Sequence, residues 1–135
     1  KSIHWQVLAS QHLLIEVLLN GHTTSMILDT GASHTCLDKE SADKLSIDLR
    51  YEEEVLRGLG SNAMETQLAS IADFRIGNWQ INHQTITLLD LSNVTDSIYA
   101  QDGIEIDGVI GADLLQKYDA LIDYGQLHLL LSNMR

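Results

Sequence analysis

Residues 26–33 read Met-Ile-Leu-Asp-Thr-Gly-Ala-Ser, and this stretch decides how the rest of the chain is interpreted. Three apolar residues, typical of a buried strand, lead into Asp29, which a threonine and a glycine follow. Glycine lets the backbone approach other groups closely because it has no Cβ. The stretch therefore predicts a carboxylate at the end of a strand. Taken alone, Asp-Thr-Gly is more often a solvent-facing Asx turn.

Two further stretches carry glycines at informative places. Residues 107–115 read Asp-Gly-Val-Ile-Gly-Ala-Asp-Leu-Leu, in which Val109 and Ile110 predict a short buried strand between glycines. A short helix is predicted directly after it, over 112–118. Between this stretch and the first, residues 57–62 read Arg-Gly-Leu-Gly-Ser-Asn and predict a mobile hairpin tip between two strands.

The remainder of the chain predicts mainly short strands. The apolar runs 13–19 and 25–28 flank Asn20-Gly21, a strong hairpin signal. Asp38 is predicted to cap a short helix that runs through Leu45. The polar residues 90–107 are predicted to form a long loop. Further strands are predicted over 35–37, 51–56, 68–76, 79–89, 120–124 and 127–131. This pattern indicates an all-β fold, a closed barrel or sandwich with one or two short helices.

The order of these elements resembles that of the retropepsin-like aspartic proteases, and most of all the single-domain bacterial members. In that family Asp-Thr-Gly-Ala lies on a loop, a glycine-bearing flap follows, and two apolar residues and a glycine precede a helix. Residues 33–45 and 120–131 are also similar to the family, so the resemblance covers roughly residues 13–131. It implies a retropepsin-like fold with one lobe per chain, and a single protease domain over residues 1–135.

The resemblance implies a role for each matching residue. Asp29 would be catalytic, and Thr30, Gly31 and Ala32 would support it. Ala32 replaces the Ser or Thr of pepsin-like enzymes, which implies a weakly acidic optimum. The substrate would contact a flap and a floor at Ser33, Arg57, Gly58, Leu59, Gly60, Val109, Ile110 and Gly111. Ser33 stands where retropepsins often have an acid, so the resemblance leaves the subsite preference open.

Aspartic protease chemistry needs two carboxylates at one water. Two carboxylates that lie so near each other share one proton. The chain has one Asp-Thr-Gly and is too short for two lobes. We therefore expect a homodimer with Asp29 from each copy and an isologous interface. The expected activity is that of an endopeptidase on an extended peptide or protein, bound by β-augmentation, with apolar side chains beside the cleaved bond.

Composition excludes several other classes. Lys plus Arg is 8 and Asp plus Glu is 19, a net charge of −11, which argues against nucleic acid and against an anionic membrane surface. The longest apolar run, 13–19, contains Glu16 and is too short to insert into a membrane. The single Cys36 forms no internal disulfide. The six histidines show no metal-ligand spacing, so we expect neither metal nor cofactor.

Several alternatives stay open at this point. One is a retropepsin-fold peptide-binding or dimerisation module with little catalysis. Another is a self-processing domain of a longer precursor, because the chain begins at Lys1 rather than Met. The compartment is not predicted: we expect a soluble domain, and export or release from a membrane-anchored precursor stays open. Asp113 could be a second carboxylate, although the resemblance places it at a helix start, where an acid favours the helix dipole.

Overall fold

The structure, a computed structural model, describes residues 2–47, 50–55, 67–82 and 85–132. The strands are β1 (Ser2–His4), β2 (Gln6–Val7), β3 (Leu13–Leu19), β4 (His22–Leu28), β5 (Cys36–Asp38), β6 (Arg50–Val55), β7 (Gln67–Ser70), β8 (Phe74–Ile76), β9 (Trp79–Gln80), β10 (Thr85–Leu89), β11 (Gly108–Ile110), β12 (Leu121–Asp123) and β13 (His128–Leu130). The helices are α1 (Lys39–Lys44), α2 (Ser92–Asp102) and α3 (Ala112–Lys117).

The described strands form two sheets. The larger one has the order β6-β7-β10-β5-β11-β4-β3-β8-β9, with β2 paired to β3, and it curls into a half-barrel. The smaller one is antiparallel, has the order β1-β13-β12, and joins the two ends of the chain. The predicted all-β class is confirmed, and the sheet is a curled half-barrel with three short helices.

The hairpin between β3 and β4 forms where the sequence predicts it. Asn20 and Gly21 have φ of 49° and 83°, the positive values that a tight two-residue hairpin turn requires. Along β3 the side chains alternate between buried and more exposed positions, as in a strand with one face on the core. The buried Thr24 hydroxyl donates to the Val17 carbonyl at 2.8 Å.

Helix α1 also begins as predicted. Asp38 is its N-cap, and its carboxylate accepts a hydrogen bond from the Ser41 amide at 3.3 Å. The other carboxylate oxygen accepts from the Leu91 amide at 2.9 Å. One buried acid therefore joins the start of α1 to the segment that leads into α2.

Two apolar clusters lie on opposite faces of the central strands. Met26 and Leu28 of β4 and Ile110 of β11 belong to the main core. Their neighbours Ile27 and Val109 belong to a second cluster, because successive side chains of a strand point to opposite faces. The second cluster consists of Leu8, Ile27, Ile98, Ile106 and Val109, with Leu14, Ala32, Leu91 and Ile104 packed against it.

The prediction of a long loop over residues 90–107 was wrong, because α2 occupies most of this range. The sequence signals at its start are weak: Leu91 makes no side-chain cap and the first turn has no acid. Its amphipathic pattern is also poor, since Ile98 is the one buried residue among residues 92–102. The missed signal is Gly103, which ends α2 in the left-handed region with φ 70°.

Candidate active site

The pairing of three strands positions Asp29. Strand β11 lies between β4 and β5, parallel to β4 and antiparallel to β5. Ile110 is in register with Leu28, the last residue of β4. The Asp29 amide donates to the Ile110 carbonyl at 3.0 Å, so the ladder extends one residue into the loop. The backbone of Asp29 is thus fixed by a strand that arrives from much later in the chain.

The turn after β4 orients the Asp29 side chain. The Gly31 amide donates to Asp29 Oδ1 at 2.9 Å, and the Ala32 amide donates to the Asp29 carbonyl at 3.1 Å. This is the Asx-turn geometry that the tripeptide alone predicts. Asp29, Thr30 and Gly31 are exposed. The turn therefore presents a carboxylate to solvent, in a conformation that two backbone amides define.

Two glycines allow β11 to lie against its neighbours. A Cβ on Gly108 would lie 2.4 Å from the Cys36 carbonyl oxygen. A Cβ on Gly111 would lie 2.6 Å from the His34 carbonyl oxygen and 2.9 Å from that of Ala32. Because these neighbours are backbone atoms, a larger side chain requires the strands to separate. Gly111 thus acts here as a packing residue of the loop.

A hydrogen-bond network behind the loop was missed by sequence reasoning. The Thr35 hydroxyl and amide both donate to Asp113 Oδ1, at 2.7 and 2.9 Å. The same hydroxyl accepts from the Gly111 amide at 3.1 Å. A further hydrogen bond joins the start of α3 to the loop: the Ala112 amide donates to the Ala32 carbonyl at 2.7 Å. Asp113 does lie in the first turn of α3, as predicted, but its carboxylate also connects this helix to the active-site loop.

Three predicted floor residues next to the loop are buried: Val109, Ile110 and Gly111. Val109 lies in the second cluster, with Ala32 and with Ile98 of α2. Ile110 is fully buried in the main core, where it supports the end of β4. Ser33 is exposed beside the loop. The predicted flap residues Arg57, Gly58, Leu59 and Gly60 lie outside the described residues.

Cys36 lies next to this network on β5. Burial first, and then the negative charge of Asp113, raise the pKa of its thiol from 9.0 to about 11. The thiol donates to the His34 carbonyl at 3.2 Å. A neutral, hydrogen-bonded thiol is a weak nucleophile, so Cys36 behaves as a small packing residue.

Neither a metal-binding cluster nor a membrane-spanning helix occurs in the described ranges. Among those residues, no group of three or more His, Cys, Asp or Glu side chains is arranged to hold a metal ion. No helix in the same ranges has the length and apolar character needed to cross a membrane. An open cavity of about 480 Å³ adjoins Thr30, and it is lined by Thr30, Ala112, Leu115, Gln116, Asp119 and Ala120.

Solved structures with a similar fold include three proteases or protease-like domains. A retropepsin-like aspartic protease from Rickettsia conorii has a TM-score of 0.60 and 23% identity, over 98% of this chain and 89% of that one. The retroviral protease-like domain of Ddi1 from Leishmania major has a TM-score of 0.59 and 16% identity, over 91% and 90%. The EIAV protease in complex with the inhibitor HBY-793 has a TM-score of 0.55 and 20% identity, over 81% and 89%. At these identities the likeness shows the fold.

The sequence itself gives the family. A comparison with curated protein sequences found no match. The sequence model of the family described as aspartyl protease matches residues 15–114, which include both the Asp-Thr-Gly loop and the start of α3. With this match and a retropepsin-like fold, the chain belongs to the aspartyl protease family.

Proposed function

We propose that this chain is an aspartic endopeptidase that acts as a homodimer, with Asp29 of both copies holding one water. The observation that carries the proposal is the solvent-facing Asp29 carboxylate, fixed by the Gly31 amide on a loop that β11 supports. A single chain supplies one such carboxylate. A second copy supplies the other, across a two-fold axis.

In the proposed reaction the two carboxylates share one proton. The ionised Asp29 takes a proton from the water, whose oxygen attacks the peptide carbonyl carbon. The protonated Asp29 of the second copy gives its proton to the carbonyl oxygen, which leaves a neutral diol. The carbon–nitrogen bond then breaks as the nitrogen takes a proton from one carboxyl and a diol hydroxyl loses one to the other. No covalent bond forms between enzyme and substrate.

The neighbouring residues have proposed supporting roles. Thr30, exposed next to Asp29, reaches the loop of the second copy. The Gly31 carbonyl and Ser33 contact the substrate backbone, while Ala32 and Val109 contribute apolar surface from below. Residues 57–60 close over the peptide and exclude water. Because Ala32 donates no hydrogen bond to the Asp29 carboxylate, we expect a weakly acidic optimum.

The proposal is tested by incubating the protein with a diverse peptide mixture from about pH 3 to 8 and detecting cleavage by mass spectrometry. We expect Asp29→Asn to lose at least about a thousandfold in kcat/KM, because the neutral amide cannot accept the proton. Asp43→Asn, an exposed change of the same chemistry on α1, serves as the matched control and leaves the rate unchanged. A statine-type transition-state analogue should block the wild-type reaction.

Three results would contradict the proposal. Equal cleavage by wild type and Asp29→Asn would place the active site elsewhere. Activity per chain that stays constant on dilution through dissociation would exclude the shared dyad. Peptide binding without cleavage, by a folded dimer, would instead indicate a peptide-binding module.

A further inference from the structure

Helix α2 is held at each end by a carboxylate. At its start, the Leu91 amide donates to Asp38 Oδ1 at 2.9 Å, and Asp38 is the last residue of β5. At its end, Asp102 Oδ1 accepts a hydrogen bond from the Ala9 amide at 2.6 Å, in the turn between β2 and β3. The helix therefore begins beside β5 and ends beside the start of β3.

This placement carries α2 across the central strands of the larger sheet. Strands β11 and β4 lie between β5 and β3, so the helix passes over both of them. Its 11 residues extend for about 16 Å along the helix axis. Four adjacent strands, about 4.8 Å apart, span about 14 Å. The length of α2 thus matches the width of the strands that it crosses.

The buried side chain of α2 is Ile98, which is fully covered. It belongs to one apolar cluster with Ile27 of β4 and Val109 of β11. Ile27 and Val109 are in register, so their side chains lie next to each other on the face of the sheet that is opposite the main core. Helix α2 therefore covers this second face at the Ile27–Val109 pair.

The same face leads to Asp29. Alternate residues of a strand share a face, and Asp29 follows Ile27 by two positions, with its amide still bonded to the Ile110 carbonyl. Ala32 of the active-site loop packs against the same cluster. A substrate side chain that reaches from Asp29 toward Val109 therefore finds the space over Val109 already occupied by Ile98.

We propose that Ile98 determines the size of the side chain accepted beside the cleaved bond. By filling the pocket over Val109, it admits small apolar residues, such as alanine and valine, and excludes aromatic ones. The proposal rests on the proposed function, because that function places the cleaved bond at Asp29. The two-fold axis repeats the pocket, so the restriction applies on both sides of the bond.

The test compares substrates that differ in one side chain. A peptide that the wild type cleaves is resynthesised with alanine, valine or phenylalanine before the cleaved bond. We expect the wild type to show at least about tenfold higher kcat/KM for valine than for phenylalanine, because a filled pocket has no room for added methylenes. Ile98→Ala empties the pocket and should shift this ratio at least about tenfold toward phenylalanine.

Two further variants separate pocket size from stability. Ile98→Val removes one methylene, so it disturbs the fold less and should shift the ratio in the same direction by a smaller factor. Ile76→Ala is the matched control, because Ile76 is as fully buried as Ile98 but lies on β8 in the main core. It loses the same atoms, and we expect an unchanged ratio. Circular dichroism verifies that each variant is folded.

Binding gives a second readout that needs no cleavage. Two statine-type analogues that differ only in a methyl or a benzyl side chain are titrated by calorimetry. The wild type should bind the methyl analogue at least about tenfold more tightly, and Ile98→Ala should lose this preference. Ile76→Ala should keep it.

The other outcomes are decisive as well. An unchanged ratio for folded Ile98→Ala overturns the proposal, as does an unchanged ratio for Ile98→Val if the alanine variant does not fold. An equal shift for Ile76→Ala overturns it too, since general loosening would explain both. A wild type that cleaves after phenylalanine as fast as after valine would mean that α2 moves aside, and it also overturns the proposal.

Failure of this proposal is distinguishable from failure of the proposed function. Cleavage that depends on Asp29, with a ratio that Ile98 does not affect, overturns the role of Ile98 alone. Analogue binding with the methyl preference, lost in Ile98→Ala, supports the pocket even when no peptide is cleaved and the catalytic proposal fails. Absence of both cleavage and analogue binding overturns both.

Discussion

Strands β11 and β12 are both three residues long, yet they are surrounded very differently. Strand β11 is buried along its whole length and pairs with β4 on one side and β5 on the other. Strand β12 is partly exposed and, among the described strands, pairs with β13 alone. The first holds a carboxylate in place, whereas the second has one edge without a described partner and leaves Leu121 exposed. Two strands of equal length thus differ in how strongly the surrounding structure fixes them.

Glycine substitutions should show the contrast most strongly. Gly111→Ala brings a Cβ into contact with the His34 and Ala32 backbone, and we expect a loss of at least about 3 kcal/mol in the free energy of unfolding, or failure to fold. Gly125→Ala in the β12–β13 turn meets only the Asp123 side chain, at 3.2 Å, and should cost less than about 1 kcal/mol. Chemical denaturation of both variants measures the difference, and equal losses would remove the distinction between the two regions.

A smaller effect is expected from the network behind the loop. Thr35→Val keeps the shape of a buried side chain but removes the hydroxyl between Asp113 and Gly111, which should cost about 2 kcal/mol. Because Gly111 adjoins the loop, the active-site geometry should loosen and kcat should fall more than KM changes. Thr95→Val on α2, whose hydroxyl makes a 3.4 Å bond to Ser92, is the control and should be nearly neutral. A stability loss with unchanged kcat would assign the network to packing alone.

The smallest effect concerns thiol chemistry. With a pKa of about 11 rather than 9.0, the Cys36 thiol should react with iodoacetamide at pH 8 about 100-fold more slowly than a free thiol. Leu121→Cys in a Cys36→Ser background should react at an ordinary rate when the protein is monomeric, since position 121 is exposed. Fast reaction of Cys36 in the folded protein would mean that the strands around β11 open readily.

The same pKa shift predicts a direction for stability at alkaline pH. The unfolded thiol ionises near pH 9.0, whereas the folded one retains its proton to about pH 11. The folded state therefore binds more protons over this interval, and stability falls as the pH rises through it. Cys36→Ser should remove this contribution to the pH dependence of the free energy of unfolding. Chemical denaturation at several pH values between 9.0 and about 11 measures it.

Local signals predicted the elements that depend on neighbouring residues. Asn20-Gly21 predicted the hairpin, and Asp38 predicted the start of α1. The apolar pair Val109 and Ile110 between two glycines predicted β11. Such features follow from turn chemistry, capping and apolar runs, which act over a few residues. The sequence alone therefore predicted the Asp29 loop and the strand that supports it.

Features that depend on distant residues were harder to predict. The contact between Thr35 and Asp113 joins residues 78 apart in sequence, and neither residue type indicates the other. Helix α2 has little capping and a weak apolar face. Its buried residue Ile98 packs in one cluster with Ile27 of β4 and Val109 of β11, which are distant in sequence. The open edge of β12 is likewise a property of the sheet order, which residues 121–123 alone do not reveal.

The insertion of β11 between two strands from the first third of the chain has a consequence for biosynthesis. A ribosome completes Asp29 long before it makes residues 108–113, and until then nothing supplies the Ile110 carbonyl or the Asp113 carboxylate. Pairings over such separations form slowly, because a long loop must close first. The loop that carries the carboxylate therefore cannot acquire these contacts before residue 113 has been made, so an unfinished chain has no organised Asp29 loop.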